Sequence, residues 1–333
     1  MGNAILKQKH FHDEAAAFAM LESIMWPHGP VCPFCKATDR IGKLENQRSK
    51  PSKKNPEGAL IHGLWKCYHC RKKFTVRKGT VFEDSHLELH LWFQAAFLMC
   101  SSKKGVSSNQ LHRTLGCTLK TAWFVSHRLR EAMAPSGKQE PMGGIGRILE
   151  ADETYIGKRR GRSSGPSTFV SCFGWMAPPL IKSEQKIVSL VERGGSVRSF
   201  HVDRVDGATV KSIILQNADK QSELMTDEAP AYIRTGWQFA AHYSVNHSQE
   251  EWGRDYAHTN TIEGYFSIFK RGMKGIYQHC KEKHLHRYLA EFDFRYSHRI
   301  ALGVNDEART VRALQGAAGK RLTYGPSREN RAT

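Results

Sequence analysis

The sequence predicts a two-part protein in which a cysteine-rich and helical first part precedes an α/β core. Three observations predict it. Two CxxC pairs, Cys32–Cys35 and Cys67–Cys70, stand near the start. A Pro- and Gly-containing stretch, PSGKQEPMGGIG at 135–146, breaks the chain in the middle. Beyond it, β-like runs at 147–156, 168–176, 186–191 and 196–202 lead into a helical segment at 208–218, the alternation expected of an α/β core with helices flanking its sheet.

Along the first part, Asp13 can cap a helix in which Ala17, Met20, Leu21 and Ile24 recur at helical spacing, and Pro27 and Gly29 end it. Residues 42–58, basic and polar, read as a loop between the two cysteine pairs. Four thiolates in this arrangement suit one closed, tetrahedral zinc site. Such a site leaves no position for water, so its role is to hold a small ribbon together. His69 is the competing ligand. Arg71, Lys72 and Lys73, with Lys66, Arg77 and Lys78 nearby, are placed to meet phosphate.

A helical region, 86–133, follows. Within it Ser107 can cap one helix, Gly116 can turn the chain and Thr118 can cap a second, the signature of a helix-turn-helix. The second helix has Leu119, Ala122, Trp123 and Leu129 on its apolar side, leaving Lys120, His127, Arg128 and Arg130 to face DNA.

Composition agrees with such a partner. The 333 residues carry 50 Lys and Arg against 32 Asp and Glu, a formal charge of +18. A polyanion is the natural complement. Nucleic acid is favoured over membrane because no basic helix has an apolar face, no run approaches the roughly twenty apolar residues of a membrane span, and the first residues lack a signal peptide's apolar core. A cytoplasmic setting follows, and it fits cysteines whose remaining members, Cys100, Cys117, Cys172 and Cys280, are scattered singly.

The core offers three acidic segments. In RILEADETYIG an apolar strand runs into Glu150, Asp152 and Glu153, and alternation alone puts Glu150 and Asp152 on one face without choosing between them. Asp227 ends a second apolar approach, SELMTDEAPAY, and ligand sites of α/β sheets favour such strand ends. In HTNTIEGYFSIFKRG, Asn260, Glu263, Ser267 and Lys270 share one helical face, opposite Ile262, Phe266 and Phe269. Three carboxylates around two hard cations are what phosphoryl transfer requires.

The thirty-five residues between Asp227 and Glu263, with Lys270 seven residues on, resemble the DDE superfamily of transposases and integrases. More narrowly, WPHGPVCPFC, CRKKFTVRKGTVFEDS, ADETYIG, LMTDEAPAY, VNHS, HTNTIEGYFSIFKRG and HLHRYLAEFDFRYSHR, in that order, resemble bacterial insertion-sequence transposases of the ISXO2-like group. The resemblance implies a ribonuclease-H-like catalytic core holding two Mg2+ (or Mn2+) ions on Asp152, Asp227 and Glu263. Asn260 is the other candidate for the third position, and His258 and Asn260 are positioned to orient DNA or water. Lys270, Arg271 and Lys274 would hold phosphates. The implied activity is binding of terminal inverted repeats, DNA strand cleavage and strand transfer, with double-stranded DNA as partner and at least a homodimer in the active complex. A zinc-ribbon regulator with an inactive core, and a nuclease or resolvase of the same fold, are the alternatives. The expected divisions are an N-terminal helix (1–30), zinc ribbon (31–84), helix-turn-helix (85–134), linker (135–146), catalytic domain (147–300) and basic tail (301–333). The segment at 157–185, with its Trp, Phe and Pro residues, departs from the family pattern.

Overall fold

A computed structural model describes residues 5–53, 55–157, 184–245, 256–278 and 280–323. It divides into two compact units, one made of Met1–Gln139, Arg271–His279 and Arg287–Thr333, the other of Glu140–Lys270 and Cys280–His286. The strand expected at 168–176 lies outside the described residues.

The first unit opens with helix α1, Glu14–Met25, whose N-terminus is capped by Asp13 accepting from the Ala16 N–H at 2.7 Å. A three-stranded antiparallel sheet follows, β1 (Ile41–Lys43), β2 (Trp65–Cys67) and β3 (Lys73–Phe74). The excursion expected as a loop begins inside β1 and continues as a ladder: Leu44 bonds to Leu64, Ser49 to Ala59 and Ile61 to Gln47. Its lysines and serines mask this because the ribbon is too small to bury both faces, so apolar alternation is absent.

Helices α2 (Leu89–Ser101), α3 (Ser108–Leu115) and α4 (Leu119–Met133) form the body of this unit. The expected caps are present. Ser107 accepts from the Gln110 N–H at 3.1 Å, Gly116 takes φ 66°, and Thr118 accepts from the Thr121 N–H at 3.2 Å. One hydrophobic core joins Leu21, Trp92, Phe93, Leu111, Val125 and Leu129 with Ala313, Leu314 and Ala317 near the chain's end. After helix α8, Leu285–Ser297, comes helix α9, Asp306–Gln315, to which Ala313 and Leu314 belong, so part of the stretch expected as a basic tail is core. Its few large apolar residues, spaced among arginines, hide the period. Arg309 is itself buried and donates to the carbonyls of Cys100, His298 and Val304.

In the second unit, strands β4 (Ile148–Ile156), β5 (Gln185–Glu192), β6 (Val197–Val202), β7 (Glu223–Asp227) and β8 (Ala241–Val245) form one sheet in the order β6-β5-β4-β7-β8. The first three are antiparallel neighbours, whereas β4–β7 and β7–β8 are parallel. Alternation along β4 sends Leu149 and Ala151 into a core with Val188, Leu190, Val210, Ile214 and Tyr232, contributed in part by helices α5 (Gly207–Asn217) and α6 (Pro230–Gly236). Glu150 points the other way and bonds to helix α7, Asn260–Gly272. A mixed sheet in this order, with helices on both faces, is the ribonuclease-H-like arrangement. Among the described residues no helix is long and apolar enough to cross a membrane.

Candidate active site and zinc site

The four ribbon cysteines converge. Cys32 and Cys70 place their sulfurs 3.6 Å apart, as do Cys35 and Cys67, and all four sulfurs lie within 4.8 Å of one another. A disulfide requires about 2.05 Å, whereas the edge of a tetrahedron with 2.3 Å zinc–sulfur bonds is about 3.8 Å. The donor set therefore fits zinc. Burial opposes ionisation of Cys32, but backbone N–H groups of Cys35 and Phe34 and the neighbouring thiols override it and bring the group down to about 7. His69 stays outside the sulfur cluster, 3.0 Å from Asp39.

In the second unit the carboxylates of Asp152, Glu153 and Asp227 come within 4.8 Å of one another. Parallel pairing of β4 and β7 brings Asp227, the last residue of β7, beside Asp152 and Glu153 in the middle of β4. Burial, then the charge of Asp227, with smaller contributions from Glu153 and Glu263, pushes Asp152 up to about 8. Glu153 is raised by its burial, against a hydrogen bond from the Tyr232 hydroxyl at 2.6 Å. Crowded carboxylates of this kind match the preference of a hard divalent cation for oxygen donors.

Two parts of the chain match models of known families. Residues 144–297 match the ISXO2-like transposase domain, and residues 12–73 match a transposase zinc-ribbon domain. Residues 144–297 belong to the ISXO2-like transposase domain family, with a transposase zinc ribbon ahead of them. An uncharacterized protein in transposable element ISH50 of Halobacterium salinarum is 28% identical over 300 residues, covering 86% of this chain and 92% of that protein. Among solved structures, the Mos1 strand transfer complex overlaps at TM-score 0.27 and 14% identity, over 63% of this chain and 70% of that one. A simian T-cell lymphotropic virus intasome in complex with a PP2A regulatory subunit overlaps at TM-score 0.28 and 17% identity, over 55% and 63% respectively.

Hydrogen bonding separates Glu150 from Asp152 in this chain. Glu150 is fully buried and accepts from Arg193 Nε at 2.6 Å, the Ile262 N–H at 2.9 Å and the Thr261 hydroxyl at 2.8 Å. It ties the start of α7 to the sheet and has no oxygen left over for the acidic cluster. Glu263 lies in the first turn of α7, accepts from the Thr259 hydroxyl at 2.9 Å and acts electrostatically on Asp152, though it is not within the 4.8 Å group. Glu153 takes that place; its position next to Asp152 was the available signal. Asn260 is exposed at the first position of α7. His258 sits against Arg193, whose Nη2 lies 3.0 Å from its Nδ1 and 2.7 Å from its carbonyl. Lys270 lies seven residues beyond Glu263 in the same helix, and Arg271 and Lys274 are exposed.

The recognition helix needs correction. Lys120 is exposed as expected, but His127, Arg128 and Arg130 are buried at 1%, 5% and 1% exposure. Arg128 donates to the carbonyls of Val81 and Glu83, both at 2.7 Å. Arg130 pairs with Glu291 at 2.6 Å beneath the ring of Tyr288, and His127 packs against Trp123. Leu119, placed on the apolar side, is exposed instead. Charge was read as exposure, whereas each guanidinium here has internal acceptors that permit burial. The outward residues of α3 and α4 are Arg113, Thr114, Thr118 and Lys120 around the turn; Arg113 was missed.

Proposed function

We propose that this chain binds the terminal inverted repeats of its own insertion sequence, cleaves DNA strands there and joins the exposed 3′-hydroxyls to target DNA. The observation that carries this reading is the convergence of Asp152 and Glu153, in the middle of β4, with Asp227 at the end of β7. Asp152, Asp227 and Glu263 would hold two divalent ions, Mg2+ or Mn2+, with Glu153 as a further donor. When bound, such ions make the attacking oxygen more nucleophilic and stabilise the leaving oxygen.

The chain's own residues supply the rest. Glu150 and Arg193 fix α7 against β4, which holds Glu263 at a set distance from Asp152 through both displacements. Lys270, Arg271 and Lys274 grip phosphates, and Asn260 and His258 orient the strand being cut. Zinc on Cys32, Cys35, Cys67 and Cys70 keeps the ribbon folded, and the ribbon with Arg71, Lys72, Lys73, Lys120 and Arg113 engages double-stranded DNA. Two ends must meet, so the working complex is a homodimer or higher oligomer acting in the cytoplasm.

The test is Mn2+- or Mg2+-dependent nicking of a duplex carrying the element's end by the purified chain. Asp227→Asn is expected to lose nicking and strand joining while retaining DNA binding. Unchanged nicking in that variant would overturn the assignment, and nicking without joined product would make the chain a nuclease.

A further inference from the structure

The two cysteine knuckles of the ribbon are built alike. In the first, the Cys32 N–H bonds to the carbonyl of Ala37 at 2.9 Å; in the second, the Cys67 N–H bonds to the carbonyl of Lys72 at 3.0 Å. Each closes five residues on, so Lys36 and Arg71, which directly follow the second cysteine of each pair, occupy equivalent positions. Both have left-handed backbone, at φ 61° and 57°. Glycine takes that conformation freely, whereas a side chain with a Cβ meets steric resistance. Nothing in the packing demands the longer residues: both are exposed, and among the described residues neither forms an ion pair. Arg40 is also left-handed, but its charge acts on neighbouring Asp39.

Their surroundings have one chemical character. Lys72 holds its Nζ 4.6 Å above the exposed ring of Phe34, and Lys66 holds its own 5.2 Å above the exposed ring of Tyr68. Each of these aromatic residues adjoins one of the paired sulfurs of Cys35 and Cys67. The rings hold the lysine ammonium groups at the knuckles.

We infer that Lys36 and Arg71 form a two-point phosphate clamp, through which the paired knuckles hold the backbone of double-stranded DNA. The inference rests on the proposed DNA-binding role of the head and names the residues that carry it. A conformation that disfavours both side chains, repeated at both knuckles, sets two unpaired cations at matched places on one small metal-held scaffold. Charge complementarity selects the occupant, because each position presents a cation and no acid answers it.

The experiment measures binding of the full-length, zinc-loaded chain to a 30-base-pair mixed-sequence duplex by fluorescence anisotropy over a series of KCl concentrations. Lys36→Gly/Arg71→Gly is expected to keep its zinc and its thermal midpoint, or raise the midpoint, while the slope of log affinity against log salt becomes shallower by about 1.8, the loss of two phosphate contacts. Lys36→Asn/Arg71→Asn, which retains a residue tolerant of left-handed backbone, is expected to give the same change. Lys211→Ala/Lys220→Ala removes equal charge from the other unit and serves as the control. An unchanged slope in both knuckle variants, or an equal change in the control, overturns the clamp. Wild-type chain that does not bind the duplex at any salt concentration overturns the DNA-binding reading itself, and the clamp with it.

Discussion

Glu150 accepts the backbone N–H of Ile262 at 2.9 Å, a carboxylate from the central strand meeting a buried amide at a helix start. Its other oxygen takes the guanidinium of Arg193. Glu150 is fully buried and the Arg193 side chain is 17% exposed, and removing Glu150 strands the guanidinium and the Ile262 N–H, at a cost of about 3 kcal/mol. Glu150→Ala is expected to lose that amount in a denaturant titration. Glu150→Gln, which keeps an acceptor for Ile262, is expected to recover part of it and part of the nicking rate.

Asp227 and Asp152 repel each other within a cluster that is only partly solvated. Asp227→Asn removes one charge from that repulsion. The metal-free variant is expected to be more stable than wild type by roughly 1 kcal/mol, while its affinity for Mn2+, followed by calorimetry, falls at least tenfold. A variant that loses stability without losing Mn2+ affinity would point to a structural role for this acid.

Proton linkage follows from Asp152, raised by burial and its acidic neighbours to about 8. Because the folded value lies above the unfolded one, the folded chain holds an extra proton between roughly pH 4 and pH 8. Metal-free stability should therefore fall as pH rises through that window, by at most about 1.4 kcal/mol per unit, and level off above it. Asp152→Asn should flatten this dependence. Binding of Mn2+ at pH 7 should release close to one proton, read from the buffer dependence of the calorimetric heat.

Zinc removal is expected to unfold the ribbon, since its core of Cys32, Cys67 and Phe74 is too small to stand alone. Trp26 and Trp65 pack edge to face at 6.0 Å beside these cysteines. Their fluorescence should change with chelator and return with added zinc, and Cys67→Ser should resemble the chelated protein.

Arg130→Ala is expected to act on folding. It takes one of two guanidiniums from buried Glu291, which keeps Arg295 and the Tyr277 hydroxyl, and should cost about 1.5–3 kcal/mol, with DNA sequence preference unchanged in the protein that remains folded. Arg113→Ala and Lys120→Ala, on the outward turn, should do the reverse: stability within about 0.5 kcal/mol, and weaker binding to DNA.

Local chemistry made much of this chain readable. Caps at Asp13, Ser107 and Thr118 obey short-range rules, as does the αL turn at Gly116. The cysteine spacing reported a four-sulfur site because metal geometry constrains neighbours in sequence. Long-range pairing was harder to read. Nothing local distinguishes Glu150 from Asp152, whose roles separate only when Arg193 and the start of α7 arrive, and nothing local tells a buried arginine from an exposed one. Glu153 remained in the background because strand alternation sends it to the face opposite Asp152; the hydrogen bond from Tyr232 helps fix its carboxylate in the cluster.

Helix α9 lies near the end of the chain yet packs Ala313 and Leu314 into the same core as α1 and α2. During synthesis, the amino-terminal unit must then wait, incomplete, until residues 306–317 have been made. A premature stop or frameshift before residue 306 deprives that unit of its closing piece as well as shortening the product. Chains cut short of this helix would be poor sources of a separately folded amino-terminal unit.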